Sequence, residues 1–156
     1  MIPSDTLFAG LQPAPVWAHF ATLCRIPRAS KQEAALRDAL REWAFLRGLV
    51  AEVDAAGNLL IRKPATPGRE RGPGVVLQAH LDMVCQKNAD SAHDFSLDPI
   101  VPVSRDGWLV AEKTTLGADN GIGVALILAV LESHDVEHGP LEALLTVDEE
   151  IGRAHV

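Results

Sequence analysis

Cysteine is scarce in this sequence. Cys24 and Cys85 are the only two among 156 residues. Neither stands in a C-x-x-C or a dense pattern, so no disulfide framework or zinc-finger site is indicated, and a reducing compartment fits best. Positive charge is also short: 14 Lys and Arg face 21 Asp and Glu, a formal net charge of -7. Nucleic acid and anionic membrane surfaces both select a basic face, so neither is expected as a partner. Met1 to Gly10 has no basic stretch followed by an apolar run, so no signal peptide is expected. The longest apolar run, Val124 to Leu131, is too short to span a bilayer. There is no internal repeat and no low-complexity tract. These absences together describe a soluble, cytoplasmic chain.

What is present is the material of one ordinary domain. Apolar residues make up 47% and charged residues 22%, a globular balance with enough length for a core. Val16 to Cys24 reads as a helix with Val16, Phe20 and Leu23 on one face. After the break at Pro27, Ser30 and Glu33 have capping-box spacing. They predict a helix from Lys31 to about Arg47 with Ala35, Leu36, Ala39, Leu40, Trp43 and Leu46 toward the core, ended by Gly48. Val50 to Val53 and Leu59 to Arg62 read as strands around a turn at Ala56-Gly57-Asn58. Pro64 to Pro73 is a surface loop. Val75 to Leu77 has the continuous apolar character of a strand buried on both faces. A small hairpin is expected around Asp106-Gly107, a helix apolar all round from Gly121 to Glu132, and a strand from Leu141 to Val147. Strands alternating with helices predict an α/β layered domain.

Three polar clusters sit at the ends of these elements. His80-x-Asp82 follows the strand from Val75, Asp119 lies in a glycine-rich turn before the apolar helix, and Asp148-Glu149-Glu150 follows the last strand. In open α/β sheets, sites gather at the carboxyl ends of strands. Histidine is a good zinc ligand, and a carboxylate can hold its other ring nitrogen. The two oxygens of one carboxylate can bridge two cations. Adjacent glutamates diverge, so one can bind metal while the other handles a proton, as metal-assisted hydrolysis requires. Taken singly, each cluster has a plainer reading: a hydrogen-bonded pair, a helix N-cap, a solvated surface pair. Gly117, Gly121 and Gly123 lack the Lys-Ser/Thr and the spacing of a phosphate loop.

The strings VVLQAHLDMVCQKN, TTLGADNGIGVALILAVLE and HGPLEALLTVDEE resemble the aminoacyl-histidine dipeptidases. These belong to the wider metallopeptidase group that includes glutamate carboxypeptidase, aminoacylase and peptidase T. CRIPRASKQEAALRDAL and DAAGNLLIRKPAT are similar too, so the resemblance runs from about Pro15 to Glu150. It implies a three-layer zinc-peptidase-like catalytic domain with a mixed sheet and helices on both faces, incomplete here. It implies two zinc ions, with cobalt or manganese as substitutes, and small peptides, above all Xaa-His dipeptides, as substrate. It implies His80, Asp119 and Glu150 as metal ligands, Asp119 bridging both ions. It implies Asp82 orienting His80, Glu149 as general base, and a cis peptide between Asp119 and Asn120. Ala79 stands where the family pattern has glycine, and Ala111-Glu112-Lys113 replaces an expected small turn.

His19, His93, His134, His138 and His155 match no ligand position and are expected to be surface or structural, Cys85 to be a buried neighbour of the site, and Trp17, Trp43 and Trp108 to be packing residues. By the same resemblance, residues 1–150 are the N-terminal part of the catalytic domain; residues 151–156 agree with an in-frame translation of a common sequencing-adapter read and so read as a non-native tail, although Ile151-Gly152 also suits the related peptidases. A further carboxylate, a histidine, the lid domain and the parts linked to homodimer formation belong downstream. The chain as given is therefore expected to bind zinc weakly and to turn over nothing at a useful rate. A tripeptidase or amide deacylase with the same metal core, and a non-catalytic metal-binding scaffold, remain as alternatives.

Overall fold

The computed structural model describes residues 7–151. His155 and the tail from residue 152 onward lie outside the described residues, as do the first six residues. Helix α1 (Ala14–Arg25) and helix α2 (Ala34–Leu46) are followed by strands β1 (Val50–Val53), β2 (Leu59–Lys63) and β3 (Val75–His80). Then come β4 (Pro102–Arg105), β5 (Trp108–Ala111), helix α3 (Ala118–Glu132) and β6 (Leu141–Thr146).

The main sheet has the order β1-β2-β6-β3 and is mixed: β6 runs antiparallel to β2 and parallel to β3. Its two halves follow from local chemistry. The β1–β2 hairpin closes on Asp54, whose carboxylate accepts the backbone N–H groups of Ala56, Gly57 and Asn58 at 2.9 Å each. Gly57 takes the positive φ that this turn needs. Parallel pairing of β3 with β6 requires a long crossover, which β4, β5 and α3 supply. The β4–β5 hairpin turns through Asp106 and Gly107, both at positive φ, as a two-residue connection prefers.

Register places Leu59, Ile61, Ala79, Ala143 and Leu145 on one face of the sheet, all fully buried. Against them pack Phe20 and Leu23 of α1, Leu36 and Leu40 of α2, and Val124 and Leu128 of α3. Alternation leaves the opposite face, with Leu60, Arg62, Val76, Gln78, Glu142 and Leu144, at best partly covered. The α/β class with a mixed sheet is as expected, and among the described residues α1, α2 and α3 pack on one face of it.

Several local expectations shift. β3 is an edge strand of the described sheet, with Val76 at 59% exposure and burial confined to its carboxyl end. An edge strand has only one neighbour, so its apolar run is not covered on both faces. Helix α2 begins at Ala34, because Ser30 and Glu33 bond elsewhere. Its core stripe is Leu36, Leu40 and Ala44, with Ala35 and Leu46 exposed. Beyond its first turn, where Ala118 and Asp119 are exposed, α3 exposes Leu126. Trp17 and Trp43 pack as expected, Trp17 against Phe8 and Phe20, Trp43 against His19 and Arg47. Trp108 does not: it projects from the β4–β5 hairpin at 74% exposure.

Candidate metal centre

Because β3 and β6 are parallel neighbours, with His80 opposite Thr146, their carboxyl ends emerge side by side. His80 is the last residue of β3, and Asp148-Glu149-Glu150 follows β6 directly. The third cluster enters from α3. Gly117 adopts the left-handed conformation at its N-cap, Asp119 and Asn120 are non-helical, and the peptide between them is cis. Three segments distant in sequence therefore meet at one end of the sheet.

His80 and Asp82 are both buried. His80 Nδ1 lies 3.1 Å from the Asp82 carbonyl oxygen and 3.3 Å from its carboxylate Oδ1. Two acceptors on that side favour the proton on Nδ1 and turn the Nε2 lone pair outward. Nε2 then faces Asp119 Oδ1 at 3.1 Å, Glu149 Oε2 at 3.8 Å and Glu150 Oε1 at 4.0 Å. A lone pair ringed by three carboxylates is repulsive unless a proton or a cation lies between them. Ligand atoms of His80, Asp119 and Glu150 all lie within 4.8 Å of one another. The Glu150 side chain is 8% exposed and that of Asp119 74% exposed, so the cluster opens to solvent on the Asp119 side.

Asp82 organises the glutamates as well as the histidine. Its Oδ1 accepts the Glu149 N–H at 3.1 Å and its Oδ2 accepts the Glu150 N–H at 2.9 Å. Ser30 Oγ donates to Oδ2 at 2.6 Å. Burial pushes the Asp82 carboxyl upward. The Ser30 hydroxyl, the two backbone N–H groups and His80 together outweigh burial and hold it below the usual aspartate range. Asp148, at positive φ, donates its N–H to Glu33 Oε1 at 3.0 Å and accepts the Lys31 N–H at 2.8 Å. Val147 N–H reaches Asn58 Oδ1 at 3.0 Å. The turn after β6 is thus held from two sides.

No family model matches the chain. It is 55% identical over 142 residues to the cytosol non-specific dipeptidase of Escherichia coli strain K12, covering 91% of this chain and 29% of that protein. The crystal structure of aminoacylhistidine dipeptidase from Vibrio alginolyticus superposes with a TM-score of 0.90 at 54% identity, over 93% of this chain and 30% of that one. By sequence and by fold the chain resembles the aminoacyl-histidine dipeptidases. A tripeptidase from Staphylococcus aureus subsp. aureus Mu50 is more distant, at 25% identity and a TM-score of 0.70 over 87% of this chain and 36% of that one. The chain spans about 30% of the length of the dipeptidases it matches.

Outside the cluster, the other described histidines have different surroundings. His19 pairs with Glu132 at 3.1 Å, His93 packs on Phe95, and His138 Nδ1 lies 2.7 Å from the Gly139 carbonyl oxygen. None of these, nor His134, joins the group formed by His80, Asp119 and Glu150. Cys85 is half-buried, not buried, and its thiol lies 3.5 Å from the Met83 carbonyl oxygen. Burial raises both thiols, Cys24 to about 11, which disfavours thiolate chemistry. The sequence assigned no place at the site to Arg28, Ser30 or Glu33, and named Asp148 only as a member of the cluster after β6. Ser30 and Glu33 carried a signal, the capping-box spacing, but it pointed to the helix and not to the site.

Proposed function

We propose that this chain forms the metal-holding part of a dipeptidase that hydrolyses small peptides, Xaa-His dipeptides among them, in the cytoplasm. The observation that carries the reading is the convergence of three carboxylates on His80 Nε2, at the parallel strand ends. The donor set of one imidazole and several carboxylates suits zinc, with cobalt or manganese as substitutes. His80 and Glu150 would hold cations, and Asp119 has a second oxygen free to bridge two of them. Bound there, such ions would supply a nucleophilic water at neutral pH and polarise the scissile carbonyl.

The protein's own share is positional and acid–base. Asp82 fixes the His80 ring and orients both glutamates. Glu149, the more exposed glutamate at 38%, takes the proton from water and passes it to the leaving amine. Residues 1–150 form the N-terminal part of the catalytic domain in this reading. The remaining ligands, the lid and any homodimer contacts belong to the further length seen in the relatives.

A chimera tests this: residues 15–150 replace the matching segment of the Vibrio alginolyticus dipeptidase. The chimera is expected to hydrolyse an Xaa-His dipeptide with zinc. E149Q is expected to abolish turnover while zinc content stays unchanged, and H80A to lower zinc content. A folded, zinc-loaded chimera without peptidase activity would sink the dipeptidase reading. Full activity of E149Q would remove Glu149 as the base.

A further inference from the structure

The connection between α1 and α2 holds a buried cation that the chemistry above does not use. Arg28 is 3% exposed. Its Nη1 donates to the Leu81 carbonyl at 2.9 Å and the Asp82 carbonyl at 3.2 Å. Its Nη2 donates to the Gly117 carbonyl. Among the described residues it makes no hydrogen-bonded ion pair with a carboxylate; the Asp82 charge favours its charged form only through space. A buried guanidinium without a carboxylate partner is costly, and three carbonyls are modest compensation. The bonds are informative because of what they join. Leu81 and Asp82 follow His80, and Gly117 precedes Asp119. The Asp82 carbonyl that Arg28 grips is the same one that His80 Nδ1 contacts at 3.1 Å.

A separate observation points to the same group. A Cβ at Gly117 would stand 2.5 Å from Arg28 Nη2 and 2.7 Å from Met83 Sδ. One at Gly121 would stand 2.8 Å from Nη2 and 3.0 Å from Phe20 Cε2. Two of the three glycines around Asp119 therefore clear the space that the guanidinium fills. Backbone pairing anchors the arginine at its base, where Met83 N–H donates to the Arg28 carbonyl at 3.2 Å.

We propose that Arg28 is a positioning residue: its planar fork sets the distance between the turn after His80 and the turn before Asp119, so that imidazole and carboxylate share one cation. This inference rests on the metal-site reading above. A lysine places one point charge where the fork spans two turns. R28K is therefore expected to keep its grip on Leu81 and Asp82 and to release Gly117.

The test uses the whole 156-residue chain. Cobalt is titrated by visible absorption, and amide hydrogen exchange is followed without metal. R28K is expected to weaken cobalt binding by about tenfold, as loss of a residue supporting metal ligands commonly does. In R28K the Gly121 amide, which donates to Gly117, is expected to exchange faster while β2 and β6 stay protected. In R28M the Met83 amide is expected to join it. Unchanged exchange at Gly121 in both variants, or equal acceleration throughout the chain, overturns the proposal. If R28M does not fold, R28K alone decides. Should the unaltered chain, lacking the ligands of the further length, bind no cobalt, the cobalt titration is made on the chimera, and the exchange pattern still decides whether Arg28 holds the two turns.

Discussion

Ser30 Oγ donates to Asp82 Oδ2 at 2.6 Å, across 52 residues of sequence. The hydroxyl that the sequence offers as a helix cap is spent on the carboxylate that orders the candidate site. S30A removes a hydrogen bond to a charged, buried acceptor, which costs about 2 kcal/mol. Urea denaturation should show that loss. Glu150 shares the same Asp82 oxygen, so cobalt affinity should fall as well. A helix-cap role alone would lower stability and leave cobalt binding untouched.

The reach of sequence reasoning here depends on how local each cause is. The amphipathic stripe of Val16, Phe20 and Leu23, the Asp54 turn and the Asp106-Gly107 hairpin are written in neighbouring residues, and the structure has them. The three polar clusters were also legible, because each closes or opens an element. That they meet is a property of β3 lying parallel to β6, a pairing 66 residues apart that no local pattern encodes. Val76 looked buried because composition does not reveal an edge strand. Ser30 and Glu33 fit two partners equally well, a helix end or a distant carboxylate and amide. The tertiary contact won because the buried carboxylates of Asp82 and Glu33 needed donors, which Ser30 and the Asp148 N–H supply.

The glycine at 121 offers a test of sign. Alanine stabilises a helix interior relative to glycine by about 1 kcal/mol where space is free. Here the added Cβ meets Arg28 Nη2 at 2.8 Å and Phe20 Cε2 at 3.0 Å. Arg28 cannot swing away without dropping buried carbonyls. G121A is therefore expected to destabilise by about 1–3 kcal/mol, the usual range for overpacking. Thermal and urea unfolding measure it directly, and a stabilised G121A would show that the guanidinium moves freely.

His19 gives the fold a pH dependence independent of the site. It is buried between α1, α2 and α3, edge-on to Trp43 and 3.1 Å from Glu132. Burial lowers its pKa, Glu132 raises it less, and the net shift is downward. A lowered folded-state pKa means that the unfolded chain binds the proton more readily through the ordinary histidine range, near about 6.5. Stability from His19 is thus present above that range and lost as pH falls through it. The H19Q chain should lose less stability between about pH 8 and pH 5 than the unaltered chain, compared by urea midpoints. A steeper loss in H19Q would mean that the protonated pair with Glu132 dominates instead.

Asp82 can be altered without changing its shape, and the outcome is constrained by counting donors. In D82N one oxygen becomes an NH₂ group. Placed at Oδ2, that group can still meet the Ser30 hydroxyl, which turns to accept, but it faces the Glu150 N–H. Placed at Oδ1, it faces the Glu149 N–H and the His80 ring. Either way a donor meets a donor in a buried position, at a cost of about 1–3 kcal/mol for the amide left unpaired. The backbone of Glu149 or Glu150 must then shift, and His80 loses part of its anchor. D82N should therefore unfold at lower urea and bind cobalt about 10–100-fold more weakly, as expected when a histidine ligand loses its supporting carboxylate. Lower stability with unchanged cobalt affinity would mean that Asp82 holds the turn after β6 together and does not aim His80.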